Sequence, residues 1–286
     1  MTVEKTIHTL IPDIKNLISE GKTDIDEDNI NIFLKAITSD LKNFLDPKEK
    51  SRSGYLRMSS IGREDRKIWY DVHNKTQVKH PPELLLKFFY GNIVEALMLF
   101  LAAEAGHKVT NQQEEVKIEG ITGHIDAMID GAVVDVKSAS TRAFRKFKTR
   151  TLLGNDPFGY IGQISGYMDA KDVLEGGFLA FDKSTGDITF MMVDELTKIN
   201  ATDRIKHLKE IISLDEPPER CYDPIPLGVQ GNYTLSTGCS YCDFKNICWK
   251  GANDGSGLRV FQYSNGLKYF THVEVEPKVE EITNVR

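Results

Sequence analysis

Hydrophobic and polar positions recur along this chain with two periods, one helical and one of strand type. Residues 4–20 carry a helical pattern, and residues 27–46 a second. In the latter, Ile30, Phe33, Leu34, Ile37, Leu41 and Phe44 fall at three- and four-residue spacing and form one apolar stripe. Met58–His73 predicts a helix capped by Ser59 or Ser60 that carries Arg63, Arg66 and Lys67. Pro81-Pro82 opens a long apolar helix over 83–105, ended by Gly106. From 108 to 140 the pattern becomes that of strands. Asn155-Asp156-Pro157 opens a helix to about 171, and strands follow at 177–183 and 187–193 around a turn at Lys183–Gly186. A helix over 194–213 stops before Pro217-Pro218, and the run LRVFQYSNGLKYFTHVEV reads as a hairpin turning at Asn265-Gly266. Strands in the middle with helices before, between and after them predict an α/β fold, a central mixed β-sheet flanked by helices.

A charged, turn-prone link at Asp46–Gly54 sets off a helical N-terminal appendage, 1–54, from a core at 55–215; residues 216–286 hold the cysteines and the C-terminal hairpin. No internal repeat or low-complexity tract is present. The 286 residues include 36 Lys and Arg against 42 Asp and Glu, a net charge of −6. That excludes a global basic field, so nucleic-acid binding would need a local basic patch and bound cations. Thr141–Arg150 is such a patch. It holds Arg142, Arg145, Lys146, Lys148 and Arg150 with Phe144 and Phe147 between them, and no acid occurs between Asp135 and Asp156. Basic residues there would hold phosphates, and the aromatics would stack on bases or enter the core. The most apolar stretch, Leu84–Ala103, is interrupted by Lys87 and Glu95, so no transmembrane helix and no membrane partner are expected. The segment MTVEKTIHTL lacks a signal-peptide core. Both point to a cytoplasmic protein, in a reducing compartment where four cysteines serve metal binding or catalysis rather than disulfides.

The richest chemistry lies in Gly123–Ser140. Asp130-Gly131 is a two-residue hairpin signal that pairs Ile129 with Ala132. Counting back from the turn places Asp126 opposite Asp135. Opposed residues have Cβ atoms roughly 5 Å apart, and like charges there repel. Two carboxylates among apolar neighbours need a shared proton or a cation, and hard oxygens suit Mg²⁺ or Mn²⁺. Lys137 follows Asp135 by two and shares its face, and the same register sets it against His124. An ammonium beside two carboxylates is equipment for metal-assisted phosphodiester hydrolysis. Cys239, Cys242 and Cys248 form C-x₂-C-x₅-C, with Cys221 upstream, and four thiolates at this spacing suit a [4Fe–4S] cluster or a structural Zn²⁺.

Gly123-x-x-Asp126 with Asp135-Val136-Lys137 resembles the PD-(D/E)xK nuclease superfamily, specifically its RecB/Cas4-like branch, and is similar to bacteriophage exonuclease-like proteins. The resemblance covers about 55–275. It implies a restriction-endonuclease-like core and a metal-dependent deoxyribonuclease that hydrolyses the phosphodiester bonds of linear DNA, single- or double-stranded, as an exonuclease in DNA processing or recombination. Glu95, Asp126, Asp135 and the Val136 carbonyl would hold Mg²⁺ or Mn²⁺, with Lys137 orienting the attacking water. Gly91 and Glu95 match the branch's helical G-x-x-x-(H/E) motif, and Gln163 and Tyr167 its Q-x-x-x-Y. Gly159, Gly162 and Gly166 on the same helix imply a close approach of backbone, to the sheet or to DNA. The cysteine triplet resembles that of Cas4-like and AddB-like nucleases. Their first ligand lies far upstream, where Glu64 stands here, so Cys221 would complete the four. Arg63 and Arg66 would join the basic run in binding phosphates. Recombination or replication proteins would be partners, in the host cytoplasm if the protein is phage-encoded. The competing readings are a non-catalytic DNA-binding or assembly module on the same fold, and an endonuclease.

Overall fold

The structure, a computed structural model, describes residues 5–46, 54–74 and 81–283. The link at Asp46–Gly54 therefore lies, but for its two ends, outside the described residues, as does the first residue of the helical pattern at 4–20. The helices are α1 (Leu10–Glu20), α2 (Glu27–Leu45), α3 (Asp65–His73), α4 (Pro82–Glu104), α5 (Thr141–Lys148), α6 (Tyr160–Lys171), α7 (Ala201–Ile212), α8 (Thr237–Ser240) and α9 (Lys245–Cys248). The first strands are β1 (Val109–Thr110), β2 (Glu115–Ile118), β3 (Ile121–His124), β4 (Ala127–Ile129), β5 (Ala132–Ala139), β6 (Gly176–Asp182) and β7 (Ile188–Val193). The last are β8 (Ile225–Pro226), β9 (Tyr233–Thr234), β10 (Arg259–Tyr263) and β11 (Gly266–His272). The chain divides into two compact units. One takes Met1–Gly62 and Lys75–Lys206, the other Arg63–Asn74 and His207–Arg286.

The first unit is built on a sheet of order β1-β4-β5-β6-β7, mixed because β5 and β6 run parallel and the other neighbours antiparallel. Strand β5 is buried continuously from Ala132 to Val136, as a central strand covered on both faces must be. Its even positions, Ala132, Val134 and Val136, pack with Leu10 and Ile14 of α1 and with Val94, Met98 and Leu99 of α4. On the other face Phe178 of β6 meets Phe147 of α5, and Gly176 meets Met168 of α6. The result is helices, sheet, helices. The N-terminal helices are part of this unit: Leu10 and Ile14 are fully buried, and α2 lays Phe33 and Phe44 on Phe100 and Phe89 of α4. By length and composition α4 is apolar enough to cross a membrane, so Lys87 and Glu95 do not exclude a span as the sequence argument held. Its C-terminal half is core, and Leu85, Leu86, Phe88 and Tyr90 of its first turns are exposed.

Several boundaries move from their expected places for local reasons. Helix α3 starts after Glu64, not after Ser59 or Ser60, because Met58–Gly62 packs against α6 instead. Helix α6 starts at Tyr160, since Asp156–Gly159 makes a turn closed by Gly159 N–H to the Asp156 carbonyl, with Gly159 at φ 75°. Asp194 caps the N–H groups of Leu196 and Thr197, which delays α7 to Ala201. In the second unit, a sheet of order β10-β11-β9-β8, Tyr263 pairs with Gly266, so the hairpin turns at Ser264-Asn265.

The glycines of α6 answer to the protein itself rather than to DNA. A Cβ on Gly162 would lie 2.3 Å from Gly62 Cα, and one on Gly166 2.6 Å from Met58 Sδ. Gly162→Ala drives a methyl into backbone that cannot move aside, and is expected to cost about 1–3 kcal/mol. That lowers the melting temperature by several degrees. Gly154→Ala, with nothing within 4 Å of the added Cβ, leaves it unchanged. Equal melting temperatures for the two variants would refute the close approach.

Candidate active site

The β4–β5 hairpin turns at Asp130 and Gly131 with φ of 50° and 89°, both left-handed, as a two-residue turn of this type requires. The observed ladder pairs Ile129 with Ala132 and Ala127 with Val134, and there β4 ends. Asp126 occupies the next position, in a bend, and its Oδ2 accepts from Val136 N–H at 2.7 Å. The bend is held from the other side, where Ile125 N–H donates to the Glu114 carbonyl and Gln113 N–H to the Asp126 carbonyl. His124 leaves the sheet here. It pairs with Glu115 in the separate β2–β3 hairpin and does not face Lys137, because the bend at Ile125-Asp126 ends the register that the turn set. Lys137 instead pairs with Ala180 of β6.

Asp135 is 1% exposed, and the Lys137 ammonium lies 2.5 Å from its Oδ2. That oxygen is buried without a hydrogen bond of good geometry. Helix α4 brings in Glu95, whose Oε1 accepts from Gln113 Nε2 at 2.6 Å. Helix α6 supplies Gln163, which donates to the Tyr167 hydroxyl at 3.2 Å, and the Tyr160 ring, 4.8 Å from the Lys137 ammonium. Asp40 of α2 adds its charge to Glu95. Gln113, Tyr160 and Asp40 are the site residues that motif reasoning missed. The one sequence hint was Tyr160, a helical turn before Gln163.

The titration behaviour follows from crowding. Burial, then the charges of Asp135 and Glu95, hold the Asp126 carboxyl well above the usual carboxylate range. Burial pushes Glu95 up to about 7, with Asp135 and Asp40 adding to it and the Gln113 hydrogen bond opposing. For Lys137 burial favours the neutral amine, but Asp135 and Asp126 outweigh it and keep the ammonium charged above the usual lysine range. Burial raises the Tyr167 hydroxyl to about 12, so it stays protonated. The donors are hard oxygens with an excess of negative charge, the chemistry a divalent cation satisfies. Among the described residues, though, no three His, Cys, Asp or Glu side chains converge closely enough to hold a metal ion, here or elsewhere. The expected carboxylate cage is not formed in this structure: an Asp126 oxygen is bonded to Val136 N–H and a Glu95 oxygen to Gln113.

The basic run is the helix α5, and helical geometry splits it. Phe144 and Phe147 are core residues, not available for stacking. Lys146 donates to the carbonyl and side chain of Asn155, and Lys148 sits 2.8 Å from Asp187. Lys148 and Lys15 hold the Asp187 carboxyl down to about 2. Arg142, Arg145 and Arg150 are exposed. In the second unit Arg63 pairs with Asp71. Arg66 donates to the Cys248 sulfur and to the Pro217 and Pro218 carbonyls, so it is a structural guanidinium rather than a phosphate ligand.

Also in the second unit, Cys221, Cys239, Cys242 and Cys248 line one cavity of about 30 Å³. Arg66, Lys67, Arg220 and Lys245 line it too, with Tyr70, Phe244 and Trp249. The thiols do not converge as metal ligands. Burial raises the Cys221 thiol to about 11 and those of Cys239 and Cys242 above their usual range, so without a cation they hold their protons. Glu64 lies close by, accepting from Tyr222 at 2.9 Å and adding to the shift of Cys221.

No family model matches the chain, and no curated protein matches it. Among solved structures it is similar to SSO0001, at 17% identity and TM-score 0.40, over 78% of this chain and 96% of that one. It is also similar to an alkaline exonuclease, LHK-Exo, from Laribacter hongkongensis, at 16% identity and TM-score 0.39, over 57% and 86%. A phage related exonuclease from Haemophilus somnus 129PT follows at 20% identity and TM-score 0.38, over 62% and 89%. At such identities and scores these likenesses decide neither fold nor chemistry.

In metal-free protein, carboxyl NMR is expected to show Glu95 titrating near 7, and Gln113→Ala moving it higher by deleting the hydrogen bond that opposes the shift. A raised carboxyl means the native state binds more protons than the unfolded, so it lowers stability as pH rises from about 4.5 to about 7. Glu95→Gln therefore gains stability relative to the parent across that window. A Glu95 midpoint at its ordinary 4.5 would contradict the buried, crowded site.

Proposed function

We propose that this chain is a metal-dependent deoxyribonuclease of PD-(D/E)xK type, of the RecB/Cas4-like kind, acting as an exonuclease on linear DNA. The observation that carries it is the meeting of Asp126, Asp135 and Lys137 where β4 ends, with the ammonium 2.5 Å from the Asp135 carboxylate. Glu95, Asp126, Asp135 and the Val136 carbonyl are the groups that would hold Mg²⁺ or Mn²⁺. When bound, the cation would polarise the phosphodiester and acidify a water. Lys137 keeps its proton, so it orients water and offsets developing negative charge rather than acting as a base. Tyr167, fixed by Gln163, serves as a neutral hydrogen-bond donor. Of the basic run, Arg142, Arg145 and Arg150 remain to meet phosphates.

The cysteine cavity would hold a [4Fe–4S] cluster or Zn²⁺ as a structural centre once its four thiols, which do not converge in this structure, are drawn onto the metal. What supports this is the sharing of one cavity by four thiols and four cationic side chains, which offset the negative charge of bound thiolates.

The test of activity uses end-labelled linear DNA and closed circular DNA with Mg²⁺, Mn²⁺ or EDTA. Metal-dependent loss of linear DNA alone is expected, with Lys137→Ala slower by roughly 10²–10³-fold. Cleavage of the closed circle would make the protein an endonuclease. Binding without cleavage under either metal favours the assembly-module reading, which the unconverged carboxylates also fit. For the cysteines, anaerobically purified protein is expected to contain iron and sulfide with visible absorbance, or stoichiometric zinc without it, lost in Cys242→Ala. Metal-free protein with four titratable thiols would rule out either centre.

A further inference from the structure

Phe158 is the outermost ring of an aromatic column that starts in the core. Its ring stacks on Tyr160 with centroids 5.6 Å apart and planes at 29°. Tyr160 is backed by Phe147 at 6.1 Å and by the fully buried Phe178 at 6.2 Å. The same Tyr160 ring carries the Lys137 ammonium at 4.8 Å, which ties the column to the carboxylate site. Phe158 itself is 42% exposed.

Isolated apolar residues on a surface are ordinary. This one is held in place from several sides. Asp156 Oδ2 accepts from Ile161 N–H at 2.8 Å, and Gly159 N–H donates to the Asp156 carbonyl at 3.2 Å. Lys146 clamps Asn155 through both its carbonyl and its side chain, at 2.9 and 3.0 Å. Gly159 is packed so tightly on Gly62 that a Cβ there would fall 2.2 Å from its carbonyl oxygen. Pro157 restricts the backbone just before the ring. The ordering cost of presenting a flat aromatic face is met when the protein folds, not when a ligand arrives.

We propose that Phe158 is a stacking platform for an unpaired nucleobase beside the phosphate engaged at Asp126, Asp135 and Lys137. The strand is therefore single-stranded at the site, or frayed at its end. This rests on the nuclease reading for the place of the phosphate, while the stacking needs only that the protein binds DNA. A base inside a duplex has both faces covered by its neighbours; an unpaired or terminal base has a free face, and every base has one, so the platform is sequence-tolerant. With a divalent cation held at the carboxylates, the site would meet a phosphate, which a nucleic-acid strand carries and an apolar peptide does not.

The experiment uses full-length protein with Ca²⁺, a divalent cation for the carboxylates in place of Mg²⁺ or Mn²⁺, and single-stranded oligonucleotides carrying 2-aminopurine at successive positions. Fluorescence quenching at one or two positions is expected. Phe158→Leu keeps an apolar side chain and removes the π-face; it should abolish the quench and weaken single-strand binding roughly 10-fold, with binding to closed circular duplex, which offers no free base face, unchanged. Phe158→Trp should restore both. Unchanged quench and affinity in Phe158→Leu, its melting curve matching the parent, overturns the platform. The two readings fail separately. Position-specific quench that Phe158→Leu removes, in a protein that cleaves nothing with Mg²⁺ or Mn²⁺, sinks the nuclease and supports the platform. Cleavage with no Phe158-dependent quench does the reverse.

Discussion

The Asp135–Lys137 pair sits where the central strand β5 has lost its neighbour β4. Strand β4 stops at Ala127, opposite Val134, and β5 runs on past it to Ala139. A charge on the buried part of β5 would be untenable alone, and removing one member of a buried pair costs about 3–5 kcal/mol. Lys137 supplies the partner without leaving the strand, because alternation puts it on the same face two residues on. The other groups gather around that edge. Asp126 folds back to Val136, Glu95 comes from α4 on one side, and Tyr160, Gln163 and Tyr167 come from α6 on the other.

Holding that gathering together requires close backbone packing. The segment Met58–Gly62 lies directly on α6, with Gly62 against Gly162 and Gly159, and Met58 against Gly166 and Gly123. Gly123 belongs to β3 and stands three residues before Asp126, so the same contact steadies both the helix bearing Tyr167 and the strand leading into the acid. The bend at Ile125-Asp126 is the counterpart on the other side. It removes His124 from the site and brings in Gln113, whose backbone holds Asp126 and whose side chain holds Glu95. One loop thus positions two of the three acids.

The second unit has its own charge problem. Four thiols and four cationic side chains line one small cavity, and Arg66 already donates to the Cys248 sulfur. Glu64 stands beside Cys221 and carries a carboxylate bonded to Tyr222.

Short-range rules made much of this protein legible from its residues. Asp130-Gly131 set the hairpin register by left-handed geometry alone, as far as Ala127 opposite Val134; Asp126 lies in the bend beyond that ladder, bonded to Val136 rather than paired with Asp135. The apolar residues around Asp135, namely Val133, Val134 and Val136, marked a strand apolar enough to be buried, and the alternation of β5 put Lys137 with Asp135. These are matters of φ, ψ and side-chain period, which neighbouring residues fix among themselves. The sequence pattern did not locate the bend that freed His124, the capture of Lys146 and Lys148 by Asn155 and Asp187, or the burial of Phe144 and Phe147. Nor did it show that the α6 glycines face Gly62 and Met58, or that Asp40, Gln113 and Tyr160 join the site. Each depends on which distant segment comes to lie alongside, and so on packing and burial summed over the fold. Whether a charge stays free, and whether three carboxylates converge, is settled by those long-range contacts, because the partners that compete for each oxygen and ammonium come from far away in the chain.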